Sequence, residues 1–124
     1  MAERVSAYQV KIEKLFKDAS LKRYPKNQLI YYAGDELSQI YLVKEGFVKA
    51  YTILDSGDTR TLFLLGPGDI FPMVFSVTME WQTYKVKYFY QSLTDVTLQS
   101  MGHDTFKELV EFIEDDRHTL IHGG

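Results

Sequence analysis

Phe71, Met73, Phe75, Trp81, Tyr84, Tyr88 and Tyr90 lie within twenty residues of one another, and Lys85 and Lys87 are threaded among the tyrosines. Aromatic side chains bury large areas, and tyrosine hydroxyls add directional hydrogen bonds, a chemistry that suits an aromatic or hydrophobic small molecule. The same residues serve equally to fill a protein interior and leave no cavity. The two lysines are candidate anion contacts. Other chemically capable groups are sparser. His118 and His122 are four apart with Asp115 nearby, a spacing that holds metal on a helix, but a solvated chain end accounts for them as well. No metal site is expected. His103 beside Asp104 reads as polarity at a helix start. Met73 is a conceivable haem ligand, although core packing explains it better. Asp55, Asp58 and Asp69 read as turn carboxylates bonded to their own backbone, and they lack the spacing of a calcium loop. All three histidines fall at or after position 103, no His-x-His occurs and no nucleophile–base pair is apparent. An enzyme is not expected, and no catalytic residue is assigned. The absence of cysteine excludes disulfides, thiolate catalysis and cysteine-ligated iron–sulfur clusters. No cofactor is expected.

The elements that must position these residues are short strands. Gly34, Gly46, Gly57 and Gly68 punctuate residues 24–71 as turns. Ile40-Tyr41-Leu42-Val43 and the run from Phe47 to Ile53 alternate in β fashion on either side of Lys44-Glu45-Gly46, which reads as a tight hairpin connection. A second hairpin is expected at Asp55-Ser56-Gly57-Asp58 and a third turn at Gly66-Pro67-Gly68-Asp69. Turn signals every ~8–12 residues indicate an antiparallel sandwich or barrel. The fold expected is therefore mainly β: an antiparallel double-stranded β-helix (jelly roll, or β-roll) over about residues 21–101, with flanking N- and C-terminal helices. The first helix is placed at 3–19, from Val5, Tyr8, Ile12, Leu15 and Ala19 at helical spacing. The second is placed at 104–114, with Asp104 as N-cap ahead of Phe106, Leu109, Val110 and Ile113.

With 124 residues and 45% hydrophobic content, the chain reads as a single domain, 1–124, with enough apolar mass for a core. No apolar run approaches the ~18 residues of a membrane span, and residues 1–20 carry charges throughout, unlike a secretory signal. A cytoplasmic protein without membrane contact is the default expectation. The net charge is −3 and the basic residues form no stripe, so these residues alone are not expected to bind DNA.

Gly34, Tyr41-Leu42-Val43, Gly46-Phe47-Val48 and Gly68-Asp69 together resemble the β-roll signature of cyclic-nucleotide-binding domains. The likeness is to the sensor domain of bacterial transcription regulators of the cyclic-AMP receptor protein and fumarate–nitrate regulator type. It continues through Ser92, Thr94, Val96, Leu98 and Met101, and upstream Tyr24-Pro25 and Leu29-Ile30 fit the family's first strand. It covers roughly residues 20–113. The resemblance implies an effector-sensing domain, dimerisation in the full-length protein through a long helix, and DNA binding through a separate winged helix-turn-helix domain. That DNA-binding domain is absent from this chain, which ends about where the long helix would begin. An excised sensor domain is the expectation, and a stand-alone ligand or interaction module is the alternative.

In the family, a Gly-Glu pair after the Gly-Asp turn and an Arg-Ser/Thr pair on the next strand hold the cyclic nucleotide. Here Pro72-Met73 stand where Gly-Glu should. Counting back from Ser92 and Thr94 puts Val86 at the arginine's position, and counting forward from Gly68-Asp69 lands on Thr83; neither is a cation. Cyclic AMP held in the family's way is therefore not expected. The effector is expected to be an unknown small molecule near Phe71, Pro72, Met73, Tyr84, Val86, Tyr88 and Tyr90. Alternation puts Val86, Tyr88 and Tyr90 on the pocket face and Lys85 and Lys87 on the solvated one. A one-residue bulge would reverse that and bring the lysines to a phosphate.

Overall fold

The computed structural model describes residues 7–72 and 85–109. Helix α1 (Ala7–Leu15) precedes eight strands: β1 (Ser20–Tyr24), β2 (Leu29–Tyr31), β3 (Gln39–Glu45), β4 (Val48–Ile53), β5 (Thr59–Leu65), β6 (Ile70–Phe71), β7 (Phe89–Ser92) and β8 (Val96–Gly102). Residues 103–109 are helical and are called α2 here. Every strand pair is antiparallel, and the strands sort into two four-stranded sheets, β1-β8-β3-β6 and β2-β7-β4-β5. Two facing antiparallel sheets wound in this order make a double-stranded β-roll with a helix at each end, the fold expected from the sequence.

Three local expectations change. The Lys44-Glu45-Gly46 segment does not close a hairpin: β3 pairs with β6 and β8, and β4 pairs with β5 and β7. The turn instead carries the chain from one sheet to the other. All four turn glycines have positive φ, but Gly46 carries an extra constraint. A Cβ there would run into the Asp95 carbonyl oxygen and the Thr94 hydroxyl, so the close approach of the β7–β8 connection also demands glycine. Only Gly57, between paired strands β4 and β5, turns a true hairpin. Tyr24-Pro25 and Leu29-Ile30 do not share a strand either. Tyr24 ends β1 and Leu29 opens β2 in the opposite sheet, because Pro25 has no N–H for a continuing ladder.

The third change is in the helices. α1 stops at Leu15, before Ala19, and α2 is under way at His103, so Asp104 sits in its first turn and not at its cap. Phe16, just past α1, is fully buried and packs its ring 6.0 Å from Phe106 of α2. Gln99 of β8 donates its side-chain amide to the Phe16 carbonyl at 2.7 Å and fixes the end of α1 on the sheet. Ile12, Phe16 and Phe106 thereby help cover the outer face of the first sheet, and β3 is buried from Ile40 to Val43 on both faces. That double burial explains why Ile40-Tyr41-Leu42-Val43 reads as a continuous apolar run.

Candidate functional site

The roll's interior between the sheets is built from aromatic rings. Phe71 of β6 lies between Tyr41 of β3 (5.2 Å, 29°) and Tyr90 of β7 (5.1 Å, 20°), stacked on both. Tyr31 of β2 meets Tyr41 and Tyr90 edge-on at 6.0 and 6.3 Å. The register forces these neighbours together: Tyr41 pairs with Phe71 in one sheet, Tyr31 with Tyr90 in the other. All four rings are buried, and stacked or edge-to-face pairs of this kind add ~0.5–1.5 kcal/mol each beyond their burial.

Their hydroxyls are occupied as well. Tyr31 Oη accepts from the Gln39 amide at 2.8 Å and the Ser38 amide at 3.2 Å, and donates to the Gln39 carbonyl at 2.7 Å. Tyr41 is held well above the ordinary phenol range, first by burial and then by its bond to the Tyr24 side chain and the nearby Tyr24 and Tyr31 hydroxyls. It stays neutral throughout the physiological range. Neither Tyr31 nor Tyr41 is a site residue on sequence grounds; Tyr41 shows there as a member of a strand run and of the β-roll signature.

Of the residues expected in the pocket, Phe71, Pro72, Val86 and Tyr90 are buried and Tyr88 is half-buried. Met73 and Tyr84 lie outside the described residues, as do Phe75, Trp81 and Thr83. Val86 is pinned by its backbone: its amide donates to the Asp35 carbonyl and its carbonyl accepts from Gly34, both at 2.8 Å. Lys85 and Lys87 are exposed. Lys85 points away from the interior and pairs with Glu36 at 3.3 Å on the surface. Ser92, two residues beyond Tyr90 on β7, is fully buried and donates to the Pro25 carbonyl at 2.6 Å while accepting from the Gln28 amide. It ties the β1–β2 corner to β7.

The turn carboxylates divide. Asp69 accepts from the Gly66 amide at 2.8 Å, the local bond expected of it. Asp58 takes the Ser56 hydroxyl instead of a backbone amide. Asp35, not singled out from sequence, caps the Gly34 turn through the Tyr32 amide. His103 contacts Asp104 at 3.2 Å. No three metal-capable side chains converge among the described residues, and Asp115, His118 and His122 lie outside them. No helix among the described residues is long and apolar enough to cross a membrane.

Comparison with known proteins places this architecture. The regulatory protein HlyX of Actinobacillus pleuropneumoniae is 41% identical over 49 residues, covering 40% of this chain and 20% of HlyX. The cyclic AMP receptor protein of Thermus thermophilus is 44% identical over 48 residues, 39% of this chain and 22% of that protein. The crystal structure of the Thermus thermophilus catabolite activator protein superposes with a TM-score of 0.69 at 23% identity, covering 96% of this chain and 53% of its own. That likeness speaks to the fold. This chain thus spans about half the length of that regulator. The sequence model described as the cyclic nucleotide-binding domain matches residues 21–111, most of the chain. The protein belongs to the cyclic nucleotide-binding domain family, among the relatives of the cyclic-AMP receptor and fumarate–nitrate regulators.

Proposed function

We propose that this chain is the effector-sensing domain of a bacterial transcription regulator of the cyclic-AMP receptor and fumarate–nitrate type. Its effector is a small molecule other than cyclic AMP held in the family's manner. The observation that supports the reading is the filling of the interior. Tyr41, Phe71, Tyr90 and Val86 occupy it, and none can neutralise a phosphate. Burying that anion without a paired cation costs several kcal/mol. Pro72 follows Phe71 without an amide hydrogen to offer. Lys85 and Lys87 face solvent. In this reading the effector favours one arrangement of the domain, and a partner domain beyond these residues carries DNA recognition in a cytoplasmic homodimer. The domain itself performs no catalysis. The continuing coding sequence is expected to encode a helix-turn-helix; a protein that stops at Gly124 would be a stand-alone ligand module instead.

Titration calorimetry with cyclic AMP and cyclic GMP tests the ligand assignment. A missing guanidinium–phosphate pair weakens binding by upwards of ~100-fold, so no dissociation constant below about ten micromolar is expected. Tighter binding that Lys85→Ala or Lys87→Ala weakens would overturn the assignment and put the lysines in the arginine's place.

A further inference from the structure

Downstream of Gly68 the chain has no arginine before Arg117, but the strand pairing supplies one upstream. Along β5, Phe63 lies opposite Ala50, Thr61 opposite Tyr51 and Arg60 opposite Thr52, leaving Leu62 as an extra residue. Strict alternation from Phe63 would send Arg60 to the outer face of the sheet, and the bulge at Leu62 reverses it. Arg60 thereby shares the concave face with Thr52 and Ala50. On the other side of β4, Tyr90 lies opposite Ala50 and Phe89 opposite Tyr51, and Tyr88, just ahead of β7, turns its ring onto Phe63 on the same face. The concave face there carries Arg60 beside the small Thr52, with the Phe63–Tyr88 ring pair next to them. β5 and β7 flank β4, ~10 Å between their backbones, which leaves room for one ring and an acid group. The Phe63 and Tyr88 rings meet edge to face at 5.7 Å and close this patch on its inner side.

The charge at this patch is available. Arg60 is exposed, and among the described residues no carboxylate lies within ion-pair range of it. Lys85 is by contrast already engaged by Glu36. Phe63 is 37% exposed and Tyr88 half-buried, so the ring surfaces are accessible beside the guanidinium. We propose, resting on the effector-domain reading above, that Arg60, Thr52, Phe63 and Tyr88 form a site at the mouth of the roll. Its ligand is a small aromatic ring carrying an anionic group. The guanidinium takes the anion through two parallel N–H donors, the ligand ring packs against the exposed side of the Phe63–Tyr88 pair, and the Thr52 hydroxyl adds a hydrogen bond.

The test titrates the 124-residue chain with salicylate and, separately, with adenosine monophosphate, followed by backbone amide shifts. At least one probe is expected to saturate with a dissociation constant below about 5 mM, with shifts centred on Thr52, Arg60, Phe63 and Tyr88. Salicylate alone identifies an aryl acid; the nucleotide alone identifies a phosphate ester. Arg60→Gln should weaken binding at least about ten-fold. Deleting Leu62 removes the bulge and keeps Thr61 opposite Tyr51 and Arg60 opposite Thr52, so binding should survive in a chain whose spectrum remains folded, and its loss there would overturn the placement of Arg60. The inference is overturned if neither probe binds in that range, or if Arg60→Gln costs less than the stated factor. Cyclic AMP binding that depends on Lys85 or Lys87 overturns the earlier ligand assignment and leaves the Arg60→Gln result to decide this one.

Discussion

Tyr41 shows what a single buried hydroxyl contributes. Its phenol is held neutral by burial and by Tyr24, so its ionisation is harder in the folded chain than in the unfolded one. A raised folded value means stability that is present below the ordinary tyrosine value of about 10 and is lost as pH climbs past it, because only the unfolded chain then sheds the proton. Tyr41→Phe keeps the stack on Phe71 and removes that dependence. Unfolding free energies from urea titrations should differ little at pH 7, by under ~1.5 kcal/mol for the lost hydrogen bond. Between pH 9.5 and 11 the variant should lose stability less steeply than the parent, and an identical slope would show that Tyr41 does not titrate on unfolding. At this scale the sequence was legible in part. Alternation placed Val86, Tyr88 and Tyr90 on one face, and their exposure follows it. Tyr31 was not legible as a hub, since its partners Ser38 and Gln39 are reached by a loop whose path no local pattern encodes.

At the level of elements, turn positions were readable and turn destinations were not. Gly46 and Gly68 mark positive-φ turns, but each carries the chain between sheets, a choice set by which strands supply partners. Gly46→Ala would combine a strained backbone with a clash against the Asp95 carbonyl. It should cost more than the ~1 kcal/mol of an ordinary glycine replacement, in the range of 2–4 kcal/mol by denaturant unfolding. Gly57→Ala, where an added Cβ meets nothing within 4 Å, should cost less, and equal losses would mean that the close approach at Gly46 is unimportant. The β5 bulge at Leu62 was also invisible in sequence. Thr61-Leu62-Phe63-Leu64 alternates poorly, and only its pairing against β4 reveals the slip.

For the molecule as a whole, the glycine spacing and alternation sufficed for an antiparallel roll, since few folds accept so many short strands joined by tight turns. What they could not supply was the contribution of the helices. Phe16 and Phe106 meet over the outer face of a sheet from opposite ends of the chain, and no local periodicity encodes that meeting. The two sheets share one interior and exchange the chain repeatedly, so neither sheet can persist alone. Unfolding should therefore be a single transition, with near-ultraviolet circular dichroism of the buried tyrosines and far-ultraviolet circular dichroism giving the same midpoint. Separated midpoints would mean that one sheet outlives the other.

The pairing of β8 also bears on how the protein is made. β8 lies between β1 and β3, with Ser100 opposite both Ser20 and Tyr41. During synthesis the first two strands of that sheet must wait, without their common neighbour, until residues 96–102 have left the ribosome. Loop closure over such separations is slow compared with hairpin formation. A nascent chain that has emerged only as far as Asp95 should thus be able to pair β2, β7, β4 and β5 but leave β1 and β3 without their common neighbour, with those strands open to chaperones, and closure of the first sheet should come as one late event.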